Sequence, residues 1–260
     1  DSPYVQAPYL GTYYYLLNTQ RPPVDDVRVR KALAMSVDRD KLVRSVLQNT
    51  AVPAYSITPP DTLGYFPPKL FDYNPDEARR LLAEAGYPNG EGWPGVEILY
   101  NTQEAHRKIA VAIQQMWKSE LGIDVTISNQ EWKVYLDAVT QIDFQVARRG
   151  WIGDYVDANN FLDMFISGGG NNNTHYGDPV YDDLILYKAP KATTREERYA
   201  LFTQAETMLM EEMPIIPLYT YTSKHLIHPS VEGMYANLMD SLNLKYVKLV
   251  PGRSLPEALR

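Results

Sequence analysis

The middle of the chain alternates between strand-like and helix-like segments, and this order constrains the fold more than any other feature. Residues 123–127 alternate strictly between apolar and polar, whereas Glu104–Leu121 carries apolar side chains at helical spacing and ends at Gly122. A chain that returns through a helix between two strands favours parallel pairing and an α/β layered fold. The alternating segments are strand 96–100, helix 104–121, strand 123–127, helix 131–141 and strand 144–149.

The flanking regions predict further elements around this core. Prolines and turn residues dominate residues 53–75, which predicts a long surface excursion. Thr194 and Glu197 have capping-box spacing at the start of a helix, and Asp38 and Asn74 are predicted to cap two others. The additional strands are 8–18, 215–221 and 242–250, and the additional helices are 27–37, 39–47, 75–85, 160–166, 179–188 and a segment that begins at residue 195.

Composition excludes several classes of protein. Apolar residues make up 45% and charged residues 22%, as in globular rather than disordered chains. The net charge of −7 includes no basic block that would favour a nucleic-acid partner, and no apolar run approaches the ~20 residues that span a bilayer. The absence of cysteine excludes thiol catalysis, disulfides and cysteine-ligated metals. Because the sequence begins at Asp1 without a methionine or a signal peptide, we expect a processed product or an excised piece.

Enzymatic motifs are poorly represented. The glycine–asparagine run at residues 168–173 lacks the spacing of a phosphate- or dinucleotide-binding loop, so it predicts a flexible turn. His225 and His228 are three residues apart on an extended segment and therefore face opposite ways, which disfavours a metal site. Asp154 and Asp157 leave open a hydrolase that uses a pair of carboxylates. We expect no metal and no cofactor.

One predicted strand ends in a charge on its apolar face. Phe144 and Val146 share a face at strand spacing, and Arg148 continues that parity. The guanidinium therefore lies where the apolar run ends, and a charge in such a place needs a partner.

Two glycines follow this arginine and are predicted to break the strand. Trp151 lies between Gly150 and Gly153, and Asp154 comes directly after them. Ligands in α/β folds bind just beyond the carboxyl ends of strands, which makes this stretch a candidate binding site. An internal Arg148–Asp154 ion pair beside a core tryptophan explains the same residues equally well.

Twenty tyrosines are the one unusual feature of the composition. Tyrosine joins a rigid ring to a hydroxyl group and suits surfaces that bind chemically mixed ligands, but it is also a good strand residue. Tyr219 and Tyr221 flank Thr220 on a predicted strand, so their side chains share one face. That face can be a pocket or part of the core.

Several short motifs occur in a fixed order between residues 8 and 250: PYLGTYYY (8–15), DVRVRKAL (26–33), DR (38–39), LAEAGY (82–87), LYNT (99–102), NQEW (129–132) and RRGW (148–151). In these motifs the chain resembles the extracellular solute-binding proteins of family 5, and among them the periplasmic oligopeptide-binding proteins of bacterial ABC importers. The resemblance covers only the C-terminal half of such a protein. It implies one lobe of a type II periplasmic-binding-protein fold, a mixed sheet flanked by helices.

The resemblance also implies a mode of binding. An extended peptide lies between two lobes that close on it, held by main-chain hydrogen bonds and by hydrated side-chain pockets. By this resemblance Asp154 pairs with the peptide's α-ammonium group, Arg148 belongs to the same site, Trp132 and Trp151 line side-chain pockets, and Asn101 and His106 lie on the carboxylate side. Tyr219 and Tyr221 are further candidates because they share one face of a strand.

Some of these positions have simpler explanations. Trp132 begins a predicted helix and can be a core residue, His106 lies in a first helical turn and can be solvated, and Asn101 can be an N-cap. Two family positions differ, because the arginine expected near Val139 and the acidic residue expected at Leu16 are missing. These differences affect the length of the ligand and the anchoring of its C-terminus.

We therefore expect a monomeric binding protein without enzymatic activity that delivers peptides to an inner-membrane ABC permease. It is expected in the periplasm, or tethered outside the membrane of a Gram-positive cell. A nickel complex, haem or an oligosaccharide is the alternative ligand, and hydrolysis by Asp154 and Asp157 is the alternative activity. Residues 1–11 are expected to cross between lobes, residues 12–222 to form the C-terminal lobe, and residues 223–260 to return to an N-terminal lobe of the same protein.

Overall fold

A six-stranded mixed sheet flanked by helices forms the centre of the protein, as seen in a computed structural model that describes residues 3–252. The predicted α/β class is thereby confirmed. The strands are β1 (Tyr4–Leu17), β2 (Ala51–Pro53), β3 (Val96–Asn101), β4 (Val125–Gln130), β5 (Val146–Ile152) and β6 (Ile215–Leu226), with β7 (Val231–Glu232) and β8 (Lys248–Leu249) in a separate small sheet. The helices are α1 (Val27–Met35), α2 (Arg39–Lys41), α3 (Pro75–Glu84), α4 (Glu104–Leu121), α5 (Trp132–Thr140), α6 (Asn159–Leu162), α7 (Pro179–Asp183) and α8 (Arg195–Glu212). None of the helices within residues 3–252 is long and apolar enough to cross a membrane.

The large sheet has the strand order β2-β6-β1-β5-β3-β4. β3 pairs in parallel with both β4 and β5, as the alternating segments predicted. The connections through α4 and α5 run in opposite directions along the sheet, so right-handed crossovers place these two helices on opposite faces. Because β3, β4 and β5 are parallel, all three end at one edge, which we call the carboxyl edge.

The antiparallel half of the sheet is built on two long strands. β1 pairs with β5 on one side and with β6 on the other. At their far ends, residues 4–8 of β1 pair with residues 222–226 of β6, and this part of β1 is less buried than residues 10–17. β6 is therefore longer than the predicted strand 215–221, whereas the predicted strand 242–250 is wrong except for β8.

Three helix ends lie where the local sequence predicted them. Asp38 accepts a hydrogen bond from the Lys41 backbone N–H at 2.8 Å, and Thr194 accepts one from Glu197 at 3.1 Å. Gly122 adopts a left-handed conformation with φ of 71° and ends α4. Each cap satisfies a backbone group that the helix leaves unpaired.

The proline-rich segment 53–75 lacks regular helices, and many of its residues are exposed as predicted, but others are buried and anchor it to the core. Ile57, Thr58 and Tyr65 are each at most 1% exposed. Glu206 on α8 is fully buried and accepts hydrogen bonds from the Thr58 backbone N–H and from the Tyr65 hydroxyl, both at 2.9 Å. This carboxylate therefore ties the segment to α8.

Glu206 should make the free energy of unfolding depend on pH. Burial raises its pKa from 4.5 to about 7, although the hydrogen bonds from Thr58 and Tyr65 oppose the shift. Since the folded state then holds the proton more tightly than the unfolded state, this group favours folding below pH 4.5, and that contribution is lost as pH rises to about 7. The loss amounts to about 3 kcal/mol.

Urea unfolding between pH 4.5 and 8 tests this expectation. Glu206→Gln should lack the contribution. The native chain should therefore lose stability relative to this variant as the pH rises from 4.5 to about 7. Glu211→Gln on the exposed face of α8 is the matched control and should run parallel to the native chain. Parallel curves for Glu206→Gln would contradict the prediction.

Candidate functional site

The carboxyl edge brings together residues that are far apart in the chain. Asn101 is the last residue of β3, Trp132 begins α5 two residues after β4, and Asp154 follows β5 by two residues. Since the three strands are parallel, these residues lie along one edge of the sheet, which is where ligands bind in α/β folds.

A guanidinium surrounded by aromatic rings lies near this edge. Arg148 donates a hydrogen bond from Nη1 to Asn101 Oδ1 at 3.2 Å, and its guanidinium carbon is 4.9 Å from the centre of the Tyr13 ring. The Tyr13 hydroxyl lies 3.2 Å from His106 Nδ1. We call the whole group the Arg148 cluster: Tyr13, Asn101, His106, Arg148, Tyr219 and Tyr221.

The two tyrosines of β6 close the other side of the cluster. Tyr13 stacks on Tyr219 with ring centres 4.7 Å apart and an angle of 13° between the planes. Tyr219 in turn meets Tyr221 edge-on at 5.4 Å. Tyr219 is 8% exposed and Tyr221 is half-buried. The face that these two tyrosines share therefore lines the Arg148 cluster and is also part of the core.

The Arg148 cluster carries an uncompensated positive charge. No carboxylate within residues 3–252 lies at ion-pair distance from Arg148, and its Nε atom is buried without a hydrogen-bond partner. Burial, and secondly the charge of Arg148, lower the pKa of His106 to about 4, so its imidazole is neutral at pH 7. Burial also raises the pKa of Tyr13 and of Tyr221, which keeps both hydroxyls protonated.

Gly150 does not break the strand, contrary to the prediction. It pairs with Tyr13 inside β5, and the strand continues to Ile152. A Cβ atom at Gly150 would lie 2.5 Å from the Tyr221 hydroxyl and 3.4 Å from Arg148 Nη2. The glycine is therefore needed so that the tyrosine hydroxyl and the guanidinium can approach the strand closely.

A second group lies beyond the end of β5, and we call it the Asn160 group: Trp151, Asp154 and Asn160. Asn160 Oδ1 accepts hydrogen bonds from the Asp154 backbone N–H at 2.9 Å and from Trp151 Nε1 at 3.1 Å. Asp154 is exposed, and its carboxylate makes no hydrogen bond or ion pair in the described part of the chain. The internal Arg148–Asp154 pair is therefore not formed, and that alternative is wrong.

The three simpler explanations for the other candidates are also wrong. Trp132 is 49% exposed and stacks on Tyr135 with ring centres 6.1 Å apart, so it is not a core residue. His106 is only 8% exposed and is not a solvated histidine. Gln103, not Asn101, occupies the N-cap of α4.

Three residues of this region were not found from the sequence. Tyr13 is the centre of the Arg148 cluster, the Tyr135 hydroxyl donates to the Arg148 carbonyl oxygen, and Asn160 joins Trp151 to Asp154. The alternation of Tyr13 and Tyr15 on a strand could have placed both on one face. Nothing local marks Asn160, because both of its partners come from another element.

Known proteins are similar to this chain in sequence. The sequence profile described as bacterial extracellular solute-binding proteins, family 5 Middle, matches residues 1–173. The periplasmic oligopeptide-binding protein OppA of Escherichia coli (strain K12) is 41% identical over 232 residues, which is 87% of this chain and 42% of that protein. The chain thus spans about half the length of the curated relatives it matches.

Solved structures of binding proteins share the architecture of this chain. The murein tripeptide binding protein MppA of Escherichia coli superposes with a TM-score of 0.85 at 39% identity, over 95% of this chain and 50% of that one. OppA of Haemophilus influenzae in complex with RPPGFSPFR has a TM-score of 0.82 at 35% identity, again over 95% and 50%. These likenesses confirm the predicted lobe of a periplasmic binding protein.

The pKa of His106 can be tested directly. NMR titration of the histidine ring signals, with His106→Gln to identify the peak, should show no protonation of His106 between pH 5 and 8. Arg148→Gln removes the smaller cause of the shift, so the pKa should rise but stay below 6.5, because burial remains. A native pKa near 6.5, or the same pKa in both proteins, would contradict this account.

Proposed function

The chain belongs to the bacterial extracellular solute-binding proteins of family 5, and on this basis we propose that it is the C-terminal lobe of a periplasmic peptide-binding protein serving an ABC importer. The observation that carries the proposal is a pair of opposite charges without partners. The Arg148 guanidinium and the Asp154 carboxylate lie near one edge of the sheet, and neither forms an ion pair within residues 3–252. A peptide with free termini has the complementary charges.

The ligand's two ends are assigned by charge. Asp154 binds the α-ammonium group, since a carboxylate compensates the lost hydration of an ammonium ion. Arg148 binds the α-carboxylate together with Asn101 and His106. This assignment differs from the one implied by the family resemblance, in which Arg148 belongs to the same site as Asp154. The assignment rests on the hydrogen bond between Arg148 and Asn101 and on the absence of an Arg148–Asp154 pair.

The walls of the site suit side chains of mixed chemistry. Trp132 offers an exposed ring beside the carboxyl edge, and Trp151 a half-buried ring next to Asp154. Tyr219 and Tyr221 supply both ring surface and hydroxyl groups near Arg148. Such surfaces bind many side chains through apolar contact and water rather than through one fixed set of hydrogen bonds.

Two of the alternatives, an oligosaccharide ligand and hydrolysis, fit these observations less well. An uncharged oligosaccharide would leave both charges unpaired, whereas a zwitterion compensates both. Asp157 is not available as a second catalytic carboxylate, because it pairs with Arg198 at 2.5 Å and accepts a hydrogen bond from the Asn159 backbone N–H at 2.8 Å. Incubation with a mixed peptide pool followed by mass spectrometry separates the two activities, since a binder retains peptides unchanged and a hydrolase shortens them.

We propose that an N-terminal lobe of the same protein covers the C-terminal segment. Leu226, Leu244 and Leu249 are 81%, 70% and 76% exposed, which is a large apolar surface for a short segment. The ribbon formed by residues 4–8 and 222–226 extends beyond the parts of β1 and β6 that pair with β5 and β2. These features support a crossing at residues 1–11, a lobe at residues 12–222 and a return at residues 223–260, of which residues 1–2 and 253–260 lie outside the described part.

Hydrogen exchange tests this division of the chain. In the 260-residue chain, backbone amides of residues 227–250 should exchange much faster than those of α4, because little apolar surface packs over them. In the longer two-lobed protein the same amides should be protected. Equal protection in both proteins would show that the segment packs by itself and that the boundary near residue 223 is misplaced.

Peptides with a blocked N-terminus or C-terminus test how the two-lobed protein binds each end of its ligand. Asp154→Asn keeps the shape but removes the charge, so affinity should fall by roughly 30-fold or more, as for about 2–5 kcal/mol lost from a buried charge pair. N-acetylation of the peptide should weaken binding to the native protein strongly and to Asp154→Asn only slightly.

Arg148→Gln is the reciprocal control. It should lose sensitivity to C-terminal amidation of the peptide but keep sensitivity to N-acetylation. If Asp154→Asn leaves the acetylation penalty unchanged, the ammonium group binds elsewhere.

A further inference from the structure

We propose that Asn160 is a positioning residue that holds the Asp154 backbone, from which the carboxylate projects, and the Trp151 indole in one arrangement, so that binding of the α-ammonium group depends on it. The inference rests on the proposed peptide-binding function. One oxygen atom, Asn160 Oδ1, accepts hydrogen bonds from the Asp154 backbone N–H at 2.9 Å and from Trp151 Nε1 at 3.1 Å. Both partners are N–H donors, so the orientation of the Asn160 amide follows from the chemistry.

The surroundings of Asn160 are rigid. Its side chain is 5% exposed, and its backbone N–H donates to the Asp157 carbonyl oxygen at 3.1 Å. The next residues of α6, Phe161 and Leu162, are fully buried. An asparagine fixed in this way presents its oxygen at a constant position.

The end of β5 is also packed closely against α6. A Cβ atom at Gly153 would lie 2.7 Å from the Leu10 side chain and 3.3 Å from Phe161, so only glycine fits between the strand end and the helix. The backbone that enters Asp154 is therefore fixed on one side by this packing and on the other by Asn160. Asp154 itself is exposed and has no other hydrogen bond to residues 3–252, so among these residues it is the Asn160 oxygen that holds its backbone N–H.

This arrangement makes the ammonium site depend on a residue that need not touch the ligand. Fixing the backbone of one residue costs conformational entropy, and in the native protein that cost is met during folding. Without the Asn160 oxygen, Asp154 must be ordered when the ligand binds. The expected loss is about tenfold in affinity, and it should fall on peptides that carry a free α-ammonium group.

The test uses the two-lobed protein and one peptide with and without N-acetylation. The measured quantity, which we call the acetylation ratio, is the dissociation constant of the acetylated peptide divided by that of the free peptide. Asn160→Leu keeps the approximate size but removes the acceptor, and Asn160→Ala is a second variant in case leucine prevents folding. Asn160→Asp keeps the acceptor oxygen, and the Asn160 Nδ2 group makes no hydrogen bond within the described residues that this change would remove. Asn18→Leu is the matched control, because Asn18 is 6% exposed and makes several hydrogen bonds next to the opposite end of β5.

We expect the acetylation ratio to fall about tenfold in Asn160→Leu and Asn160→Ala. In Asn160→Asp, which keeps the acceptor and adds a negative charge, the ratio should be native or larger. Asn18→Leu should lower the melting temperature but keep the native ratio. A native ratio in both Asn160→Leu and Asn160→Ala, with only a lower melting temperature, would overturn the inference. A native protein insensitive to acetylation would instead refute the ammonium site itself, so the two failures are distinguishable.

Discussion

The charge of Arg148 is the constraint on which the site depends. A guanidinium that is largely removed from water loses several kcal/mol of hydration unless other groups compensate. Here the compensation within residues 3–252 is partial, from the Asn101 side chain and the face of the Tyr13 ring. These neutral contacts fix the position of the cation without neutralising it. The cation is thereby held in one position, as the proposed binding of a carboxylate requires.

The central position of β5 distributes these functions. It lies between antiparallel β1 and parallel β3, so side chains on both of its faces are supported by neighbouring strands. Arg148 and Gly150 point to one face, and Trp151 to the other, because strand residues alternate. Asp154 follows the strand end, where α6 holds its backbone. The strand thus supplies a cation and an aromatic ring on opposite faces, and the residues just after its end supply a carboxylate.

The irregular segment 53–75 is a structural support of the same region. β2 pairs with β6 so that Pro53 lies opposite Tyr219. The start of the segment therefore lies beside the tyrosines of the Arg148 cluster. Arg39 is fully buried, donates to the Pro217 carbonyl oxygen at 2.8 Å and lies over the Phe71 ring at 4.8 Å. Strand pairing at the start of this segment and the buried Arg39 near its end therefore hold it against the sheet.

The order of strands and helices from β3 to β5, several helix caps and the exclusion of thiol chemistry were determined by the sequence alone. Capping and apolar periodicity depend on residues a few positions apart, so Asp38 and Thr194 were interpretable without a fold. The partners of Arg148, the continuation of β5 through Gly150 and the bridge made by Asn160 were decided only by the tertiary structure. Those contacts join residues that are distant in the chain or belong to different elements, and local spacing carries no information about strand register or burial.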